Sequence, residues 1–270
     1  MYIYQILLST VKTVPEGTLN RMIFIIKNYY PMFLEGLKYT IVISIVGTLF
    51  GVLLGMGLAS MKIQKVTPRY GIFVNIVKRT GVILSTLYVD VVRGTPMMLQ
   101  AIVLYYAFLY KWFSVDVMIA GIIIISLNTA AYATEVLRGA INAIDDGQME
   151  AARSLGMSNN QAMLKVILPQ AFKNSVPAIG NELVINIKDS SVLSVIGVIE
   201  LMYQSKAAAS QYFLHVESAL VAGVIYLILT ISSTRLLEYL DKLLNIPNGN
   251  MMVSILTSQS LKAERNEGGK

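Results

Sequence analysis

Residues 150–169 read EAARSLGMSNNQAMLKVILP and form a polar segment between long apolar runs. Asp145, just before this segment, can cap a helix, and Gln148 three residues later has the spacing of a capping box. The predicted helix carries Glu150 and the alanines after it. It ends at Gly156, because glycine suits the left-handed position after a helix C-terminus. The first half of the segment is therefore predicted to be a short, capped helix.

The second half of the segment predicts another short helix. Ser158 and Gln161 have the spacing of a second capping box. The apolar residues that follow recur at three- and four-residue spacing and so share one face, and Pro169 is expected to limit the helix. Neither helix is long enough to be stable by itself. The pair should form a compact knob that packs against another surface.

The chain as a whole has the composition of a multi-span membrane protein. Of its 270 residues, 55% are hydrophobic and 14% are charged, whereas ordinary soluble domains have about 25% charged residues. The apolar runs are too long and too poor in charge for helices of a soluble core. The net charge of +6 fits basic loops beside an anionic leaflet better than it fits nucleic acid binding.

Several other classes of site and segment are disfavoured. The chain has no cysteine, which excludes disulfides and thiolate metal sites, and its one histidine cannot form a metal cluster. That histidine, His215, lies at the edge of an apolar run in a predicted loop. We expect no removed signal peptide, because the N-terminus lacks the ordered regions of one.

Five membrane-spanning segments are predicted from the apolar runs. They cover roughly residues 36–60, 83–110, 115–137, 176–202 and 218–237. The second is interrupted by residues 93–96. In the first, Gly47, Gly51 and Gly55 recur at four-residue spacing. That spacing permits a close helix contact, but a lipid-facing helix fits the same pattern.

The distribution of lysine and arginine predicts the orientation. One side would carry fourteen of them in its loops: Lys62, Lys65, Arg69, Lys78, Arg79, Arg138, Arg153, Lys165, Lys173, Arg235, Lys242, Lys262, Arg265 and Lys270. The opposite side would carry five: Lys12, Arg21, Lys27, Lys111 and Lys206. The N-terminus is therefore predicted to be outside and the C-terminus in the cytoplasm, together with the polar loop.

The two ends of the chain are predicted to lie apart from the membrane core. Residues 1–35 contain an apolar stretch that is too short to span a membrane, and Pro15 and Pro31 break its pattern. An extracellular or interfacial helix is expected there. Residues 247–270 are polar without apolar periodicity and predict a loose end to the cytoplasmic tail, which is expected to comprise residues 241–270. The transmembrane domain is residues 36–240, with its cytoplasmic loop at 141–175.

The polar loop resembles the signature loop of the membrane subunits of bacterial ABC importers. That signature is Glu-Ala-Ala, three residues, Gly, nine residues, Ile, one residue and Leu-Pro. The chain matches it at Glu150, Ala151, Ala152, Gly156, Leu168 and Pro169, and it has Val166 where isoleucine is usual. Six identities at fixed spacing, in a loop independently predicted to be cytoplasmic, make a mere capped hairpin a poor explanation.

Three weaker motifs resemble the polar amino acid permeases of that class, the histidine, glutamine and arginine uptake group. Residues 93–96, RGTP, followed by Gln100, resemble the second-span motif. Residues 188–192, KDSSV, and the GVIEL of 197–201 resemble the fourth-span KDTSL and GxxEL segments, and residues 131–139 resemble the end of the third span. The resemblance covers about residues 35–240. It implies the permease fold of a type I ABC importer in the bacterial cytoplasmic membrane.

The resemblance also implies partners. Two such permease subunits, identical or related, would pair in the lipid bilayer and dock on two ATPase subunits, and a substrate-binding protein outside would deliver the amino acid. This chain has no GxxxxGK[ST] phosphate loop. It is therefore expected to be no enzyme and to bind no cofactor, while ATP and its magnesium ion bind to the partner ATPase.

Two sets of candidate site residues follow. The loop that couples the ATPase to transport would consist of Glu150, Ala151, Ala152, Gly156, Val166, Leu168 and Pro169. The translocation path or gate would draw on polar residues within the spans, because charge in a bilayer is costly unless it faces the protein or water. These are Arg93, Thr95, Pro96, Gln100, Asn128, Glu135, Asn181, Glu182, Lys188 and Asp189.

The residues alone leave structural roles open for this second set. Arg93 and Glu135 fit a pair that ties the second and third spans together, and Pro96 fits a helix kink or start. Lys188 and Asp189 fit interhelical pairing as well as a gate. The asparagines, including Asn186, fit helix contacts as well as a path.

Other functions are weighed against this one. The same architecture could import methionine, an opine or another small solute. A channel or secondary carrier is a less favoured interpretation, since no coupling-ion site or internal repeat is recognised. A membrane-embedded enzyme would need a convergent set of catalytic residues, and the sequence offers no histidine pair or metal-ligand motif.

Overall fold

The computed structural model describes residues 14–63 and 71–243, and all regular structure in these ranges is helical. The predicted all-α fold is confirmed. The helices are α1 (Thr18–Lys62), α2 (Ile72–Gly94), α3 (Met97–Phe113), α4 (Val117–Asn142), α5 (Asp146–Ser154), α6 (Asn159–Ala162), α7 (Leu168–Asp189), α8 (Leu201–Ser210) and α9 (His215–Leu243). Wider π-helical turns form the middle of α3, Val103–Tyr110, and join α6 to α7 at Met163–Ile167. A 3₁₀ helix, Ser190–Ile196, follows α7.

Four helices are long and apolar enough to cross a membrane, namely α1, α2, α4 and α9, and α3 is a shorter apolar helix. The predicted interruption of the second span is confirmed, because α2 ends at Gly94 and α3 begins at Met97. Thr95 between them has an extended backbone, and Pro96 cannot donate the backbone hydrogen bond that a continuous helix needs.

The prediction of one continuous fourth span over residues 176–202 is wrong. α7 begins earlier, at Leu168, and ends at Asp189. The chain then tightens into the 3₁₀ helix and turns at Gly197, whose φ of 95° is left-handed and favours glycine. Glu200 accepts hydrogen bonds from the backbone of Met202 and Tyr203, so its carboxylate caps α8 and starts a new helix direction.

The predicted helix break at Pro31 is also wrong, since α1 runs through this proline without interruption. Ile25 and Phe33, on either side of Pro31, are buried in an apolar cluster with α8 and α9. Arg21 forms an ion pair with Glu217 of α9 at 3.2 Å. We attribute the continuity to these contacts, which hold both sides of the proline and offset its missing hydrogen bond. The interfacial placement of residues 1–35 stays a prediction.

The glycine spacing in α1 makes a close helix contact, as the first of the two interpretations predicts. A Cβ added at Gly47 would lie 2.6 Å from Ile125 Cγ2, one at Gly51 would lie 2.5 Å from Thr129 Cβ, and one at Gly55 would lie 2.7 Å from Ala133 Cβ. These partners recur every four residues along α4. α1 and α4 thus form the central pair, and α7 packs against both.

Some sequence predictions fall outside the described residues. These are residues 1–13, the basic loop positions Lys65 and Arg69, and the tail after Leu243. His215, predicted to lie in a loop, is instead the first residue of α9.

Candidate functional site

The knob at residues 145–169 has a fixed joint between its two helices. Asp145 caps α5 by accepting a hydrogen bond from the backbone of Gly147 at 2.8 Å, so the predicted N-cap is confirmed, but neither bond of the predicted capping box with Gln148 is formed. At the other end the Gly156 N–H donates to the Arg153 carbonyl and the Met157 N–H donates to that of Ala152. These paired bonds are a Schellman motif, and the φ of 85° at Gly156 is the left-handed conformation it requires.

The second helix of the knob begins as predicted but does not end as predicted. Ser158 and Gln161 exchange both bonds of a capping box. The prediction that Pro169 limits the helix is wrong, since the helical chain continues into α7. The Leu168 N–H donates to the carbonyl of Met163, five residues back, and this wider turn precedes the proline. We infer that the wide turn accommodates the ring, because it relaxes the regular α-helical register just before Pro169.

The knob has a few buried apolar residues and a largely exposed outer surface. Ala152, Ala162 and Ile167 are buried, and Gln170 Nε2 donates to Gln148 Oε1 at 3.3 Å, which connects α7 to α5. Glu150, Ala151, Gly156 and Pro169 are exposed, and Val166 and Leu168 are half-buried. Leu155 is 81% exposed and Leu164 is 65% exposed. The knob therefore presents apolar side chains and a carboxylate on its outer surface.

A cleft of about 420 Å³ lies where α2, α3, α4 and α7 meet. Its lining residues are Thr95, Pro96, Met97, Asn128, Tyr132, Glu182, Ile185 and Asp189. Asn128 and Tyr132 belong to the middle of α4, one of the helices long enough to cross a membrane. The cleft consequently lies part-way along the predicted span, where the chain between α2 and α3 leaves helical geometry.

One wall of the cleft carries two acidic side chains. Glu182 and Asp189 are half-buried residues seven positions apart on α7, and both line the cleft. Within residues 14–63 and 71–243, neither carboxylate forms an ion pair. Charge in such a partly enclosed site favours a ligand of opposite sign, because the surrounding protein screens it less than water does.

An amide network holds the break between α2 and α3 beside this cleft. Gln100 Nε2 lies 2.7 Å from the Val92 carbonyl, 3.0 Å from the Thr95 carbonyl and 2.8 Å from Thr95 Oγ1. Its Oε1 accepts a hydrogen bond from Asn128 Nδ2 at 3.1 Å. Thr95 Oγ1 in turn donates to the Val91 carbonyl at 2.8 Å. These bonds satisfy backbone groups that the helix break leaves free.

Glu135 is the centre of a charge cluster that adjoins the cleft. Its Oε1 accepts a hydrogen bond from Lys62 at 2.6 Å and its Oε2 accepts one from Arg138 Nη2 at 2.8 Å, and Arg93 Nη1 lies 3.9 Å from the same Oε2. The Arg93 guanidinium also lies 5.4 Å from the ring centre of Tyr132, within cation–π range. The predicted Arg93–Glu135 pair is present, and the cluster joins α1, α2 and α4.

The structure thus separates the predicted path residues into groups. Thr95, Pro96, Asn128, Glu182 and Asp189 line one cleft, and Gln100 bonds to two of them. Arg93 and Glu135 belong to the charge cluster, while Asn181 and Lys188 are exposed and do not line the cleft. Their role in transport stays a prediction.

Asn186 forms a contact between helices, and some residues of the cleft and the charge cluster were not predicted. Asn186 donates to Thr48 Oγ1 and Thr129 Oγ1, each at 2.8 Å, which makes it a contact between α7, α1 and α4. The cleft residues Met97, Tyr132 and Ile185 were not predicted, and Met97 directly follows the predicted Pro96. Tyr132 lies four residues after Asn128 and Ile185 lies three after Glu182, so helical periodicity could have indicated these two. Lys62 gave no such signal, because its partner is 73 residues away in sequence.

Comparison with known proteins shows extensive similarity. A family model described as binding-protein-dependent transport system inner membrane component matches residues 70–246. The arginine transport system permease protein ArtQ of Bacillus subtilis (strain 168) is 37% identical over 205 residues, which are 76% of this chain and 88% of that protein. The probable glutamine ABC transporter permease protein GlnM of the same organism is 32% identical over 213 residues, 79% of this chain and 93% of that protein.

Solved structures share the fold. The crystal structure of an amino acid ABC transporter with histidines matches 84% of this chain and 99% of the compared chain, with a TM-score of 0.73 and 31% identity. The MetNI methionine ABC transporter in an inward-facing conformation matches 77% of this chain and 95% of its own, with a TM-score of 0.59 and 18% identity. At 18% identity, the similarity to the MetNI transporter shows a shared fold alone.

Proposed function

Because the chain belongs to the family of binding-protein-dependent transport system inner membrane components, we propose that it forms the path by which an ATP-driven importer moves a polar amino acid into the cell. It is a multi-pass protein of the cytoplasmic membrane and an amino acid ABC permease. The direction of transport, the coupling and the kind of amino acid are the parts that we propose.

The pair of acidic side chains in the cleft is the observation that carries this proposal. A free amino acid always has an ammonium group, and arginine adds a guanidinium with five N–H donors. Glu182 and Asp189 are acceptors without an ion pair in the described part of the chain, and Asn128 adds an amide. We therefore propose a cationic amino acid as the preferred cargo. The similarity to a permease named for arginine transport supports this choice.

The knob supplies the proposed site for the ATPase. The fixed joint at Gly156 holds two short helices in one geometry, and Leu155 and Leu164 leave apolar surface that a partner would cover. Glu150, exposed on α5, would offer a carboxylate to a basic partner surface. We propose that two ATPase subunits bind ATP and magnesium and dock here, and that a second permease subunit and an outer binding protein complete the importer.

The first test neutralises the cleft. Glu182→Gln and Asp189→Asn should each weaken arginine binding to the purified permease–ATPase complex by about 10- to 100-fold, because hydrogen bonds to charged groups contribute about 1.5–3 kcal/mol. Equilibrium binding of radiolabelled arginine, without the binding protein, measures this. Glu238→Gln, which removes an exposed carboxylate on α9, is the control. Unchanged arginine binding in both cleft variants would reject the cleft as the cargo site.

The second test concerns the knob. Gly156→Ala should uncouple ATP hydrolysis from uptake, because alanine at φ of 85° costs about 1–2 kcal/mol and shifts the joint. Glu150→Gln should do the same by removing the proposed charge contact. Uptake and ATPase rates in proteoliposomes measure the coupling, and membrane insertion should be normal.

A matched control exists for the glycine change. An added Cβ meets no atom within 4 Å at either Gly156 or Gly139, but only Gly156 has a positive φ. Gly139→Ala should therefore leave coupling intact. If uptake is unaltered in both Gly156→Ala and Glu150→Gln, the knob is not the docking site.

A further inference from the structure

We propose that Gln100 is a positioning residue that sets the cleft's preference for a cationic side chain by fixing which end of the Asn128 amide faces the cargo. Gln100 does not line the cleft. It acts through Asn128, which does. The inference rests on the proposed function, since it concerns the cargo that this cleft accepts.

The Gln100 amide can adopt only one orientation. Its nitrogen lies within 3.0 Å of three acceptors, the Val92 carbonyl, the Thr95 carbonyl and Thr95 Oγ1. The carbonyls accept only, and Thr95 Oγ1 uses its own proton toward Val91. An amide oxygen in this position would face only acceptors. The helix break therefore holds Nε2 toward Thr95 and turns Oε1 toward α4.

The second step transfers this orientation to Asn128. Because Gln100 Oε1 can only accept, Asn128 must present its Nδ2, and the two atoms are 3.1 Å apart. Asn128 is itself buried, so the amide has little freedom to rotate. Its other end, Oδ1, accepts no hydrogen bond from any residue in the described ranges. A carbonyl oxygen is thereby left for whatever enters the cleft.

The third step is the chemical consequence for selectivity. With Asn128 Oδ1 as an acceptor beside Glu182 and Asp189, three polar groups on the α4 and α7 walls of the cleft suit a side chain that only donates, and the Tyr132 hydroxyl is the remaining polar group on these walls. A guanidinium has donors alone, whereas the ureido group of citrulline, of nearly the same shape, replaces one NH₂ with a carbonyl oxygen. That oxygen would meet acceptors and lose its hydrogen bonds. If the Asn128 amide were free to turn, its Nδ2 could donate a hydrogen bond to the citrulline carbonyl oxygen.

The experiment compares arginine and citrulline as probes. Equilibrium binding of each is measured on the purified permease–ATPase complex without the binding protein, for the wild type and for Gln100→Leu. Arginine affinity should fall about tenfold, which corresponds to about 1.4 kcal/mol, while citrulline affinity should be unchanged or higher. A purely structural role for Gln100 predicts equal losses for both probes, and that result, or no change in either, would overturn the inference.

A second variant provides the rescue. Asn128→Asp in the Gln100→Leu background places an acceptor oxygen toward the cleft in either rotamer, so the preference for arginine should return. Failure of this rescue would count against the orientation mechanism. If Gln100→Leu does not fold, Gln100→Met keeps the unbranched shape of the side chain without its N–H groups, and the same selectivity loss is expected.

The outcome also distinguishes this inference from the proposed function. A wild-type complex that binds neither probe in the cleft would contradict the proposed cargo site itself. A wild type that binds arginine, together with Gln100 variants of unchanged selectivity, would contradict only the positioning role.

Discussion

Glu135 joins three helices through three cations, and its two closest partners lie on α1 and on its own helix, α4. Lys62 ends α1, and Arg138 lies one turn further along α4. The Glu135 side chain is only 18% exposed, so its charge is compensated mainly by these cations. Removing one member of such a cluster leaves the others without their partner, which is costly in a partly buried site.

Glu135→Gln should therefore lower the free energy of unfolding by about 1.5–3 kcal/mol, since hydrogen bonds to charged groups contribute that much. Thermal unfolding of the purified chain in detergent measures it. The control is Glu238→Gln, because the Arg235–Glu238 pair has the same i,i+3 spacing as Glu135–Arg138 but side chains 77% and 51% exposed. A change within about 1 kcal/mol is expected there. Equal effects of the two substitutions would contradict the cluster's stabilising role.

The sequence predicted part of this cluster and missed the rest for a physical reason. Arg93 and Glu135 were predicted as partners because a charge within a span needs an opposite charge. At 3.9 Å, Arg93 is the most distant of the three cations. The closer contact of Lys62 with Glu135 depends on how far α1 extends beyond its apolar stretch and on the register of α1 against α4. Neither quantity can be derived from local patterns.

At the scale of elements, glycines set the register of α1 against α4, because the two backbones can approach closely only where α1 has no side chain. Gly51 lets its backbone approach Thr129 and the carbonyl of Ser126. Without a hydrophobic driving force between helices in lipid, such close packing is a main source of helix association. The recurrence of glycine was readable in the sequence, but its partner helix was not.

Gly51→Ala should destabilise the fold by about 1–3 kcal/mol, because the new Cβ would lie 2.8 Å from a backbone oxygen that can move only with α4. The same unfolding measurement in detergent applies. At Gly57, on the same helix, an added Cβ meets nothing within 4 Å. Gly57→Ala should be neutral or stabilise by up to about 1 kcal/mol through helix propensity. Tolerance of alanine at Gly51 would show that the two helices are not in this register.

Three prolines show that the ends of helices cannot be predicted from residue type alone. Pro31 and Pro169 were expected to break or limit helices, yet helical structure continues through both. At Pro96, by contrast, the predicted break is present. The residue type is the same in all three places. What differs is the surroundings, namely buried neighbours at Pro31, a wider turn before Pro169, and an amide network that stabilises the open conformation at Pro96.

At the scale of the whole molecule, orientation in the membrane was derived from charge alone, and it can be tested directly because the chain has no cysteine. Asn160 in the knob and Ser210 at the end of α8 are both exposed. In right-side-out vesicles, a membrane-impermeant maleimide should label Ser210→Cys without permeabilisation. It should label Asn160→Cys only after permeabilisation. The reverse pattern would invert the predicted orientation.

The general architecture was largely predictable and the cleft was not. Long uncharged runs predicted most of the apolar helices, although residues 176–202 do not form one helix, and capping residues predicted the knob, because both signals are local. The cleft needs the breaks after Gly94 and after Asp189 to bring residues 95–97 of the chain toward α4 and α7. Its members were each suspected for their polarity, but their assembly into one site depends on tertiary packing.

The unbroken passage of the chain through Pro169 has a mechanical consequence. From Asn159 to Asp189 the backbone stays helical, a rod about 45 Å long at about 1.5 Å per residue. The knob occupies one end of this rod, and Glu182 and Asp189 occupy the other. Any tilt imposed at the loop must therefore displace the two carboxylates along an arc, as a lever arm displaces its tip. The wide turn at Met163–Ile167 and Pro177, which lacks a backbone N–H, are the irregularities along its length, and they are the places where such a lever would flex.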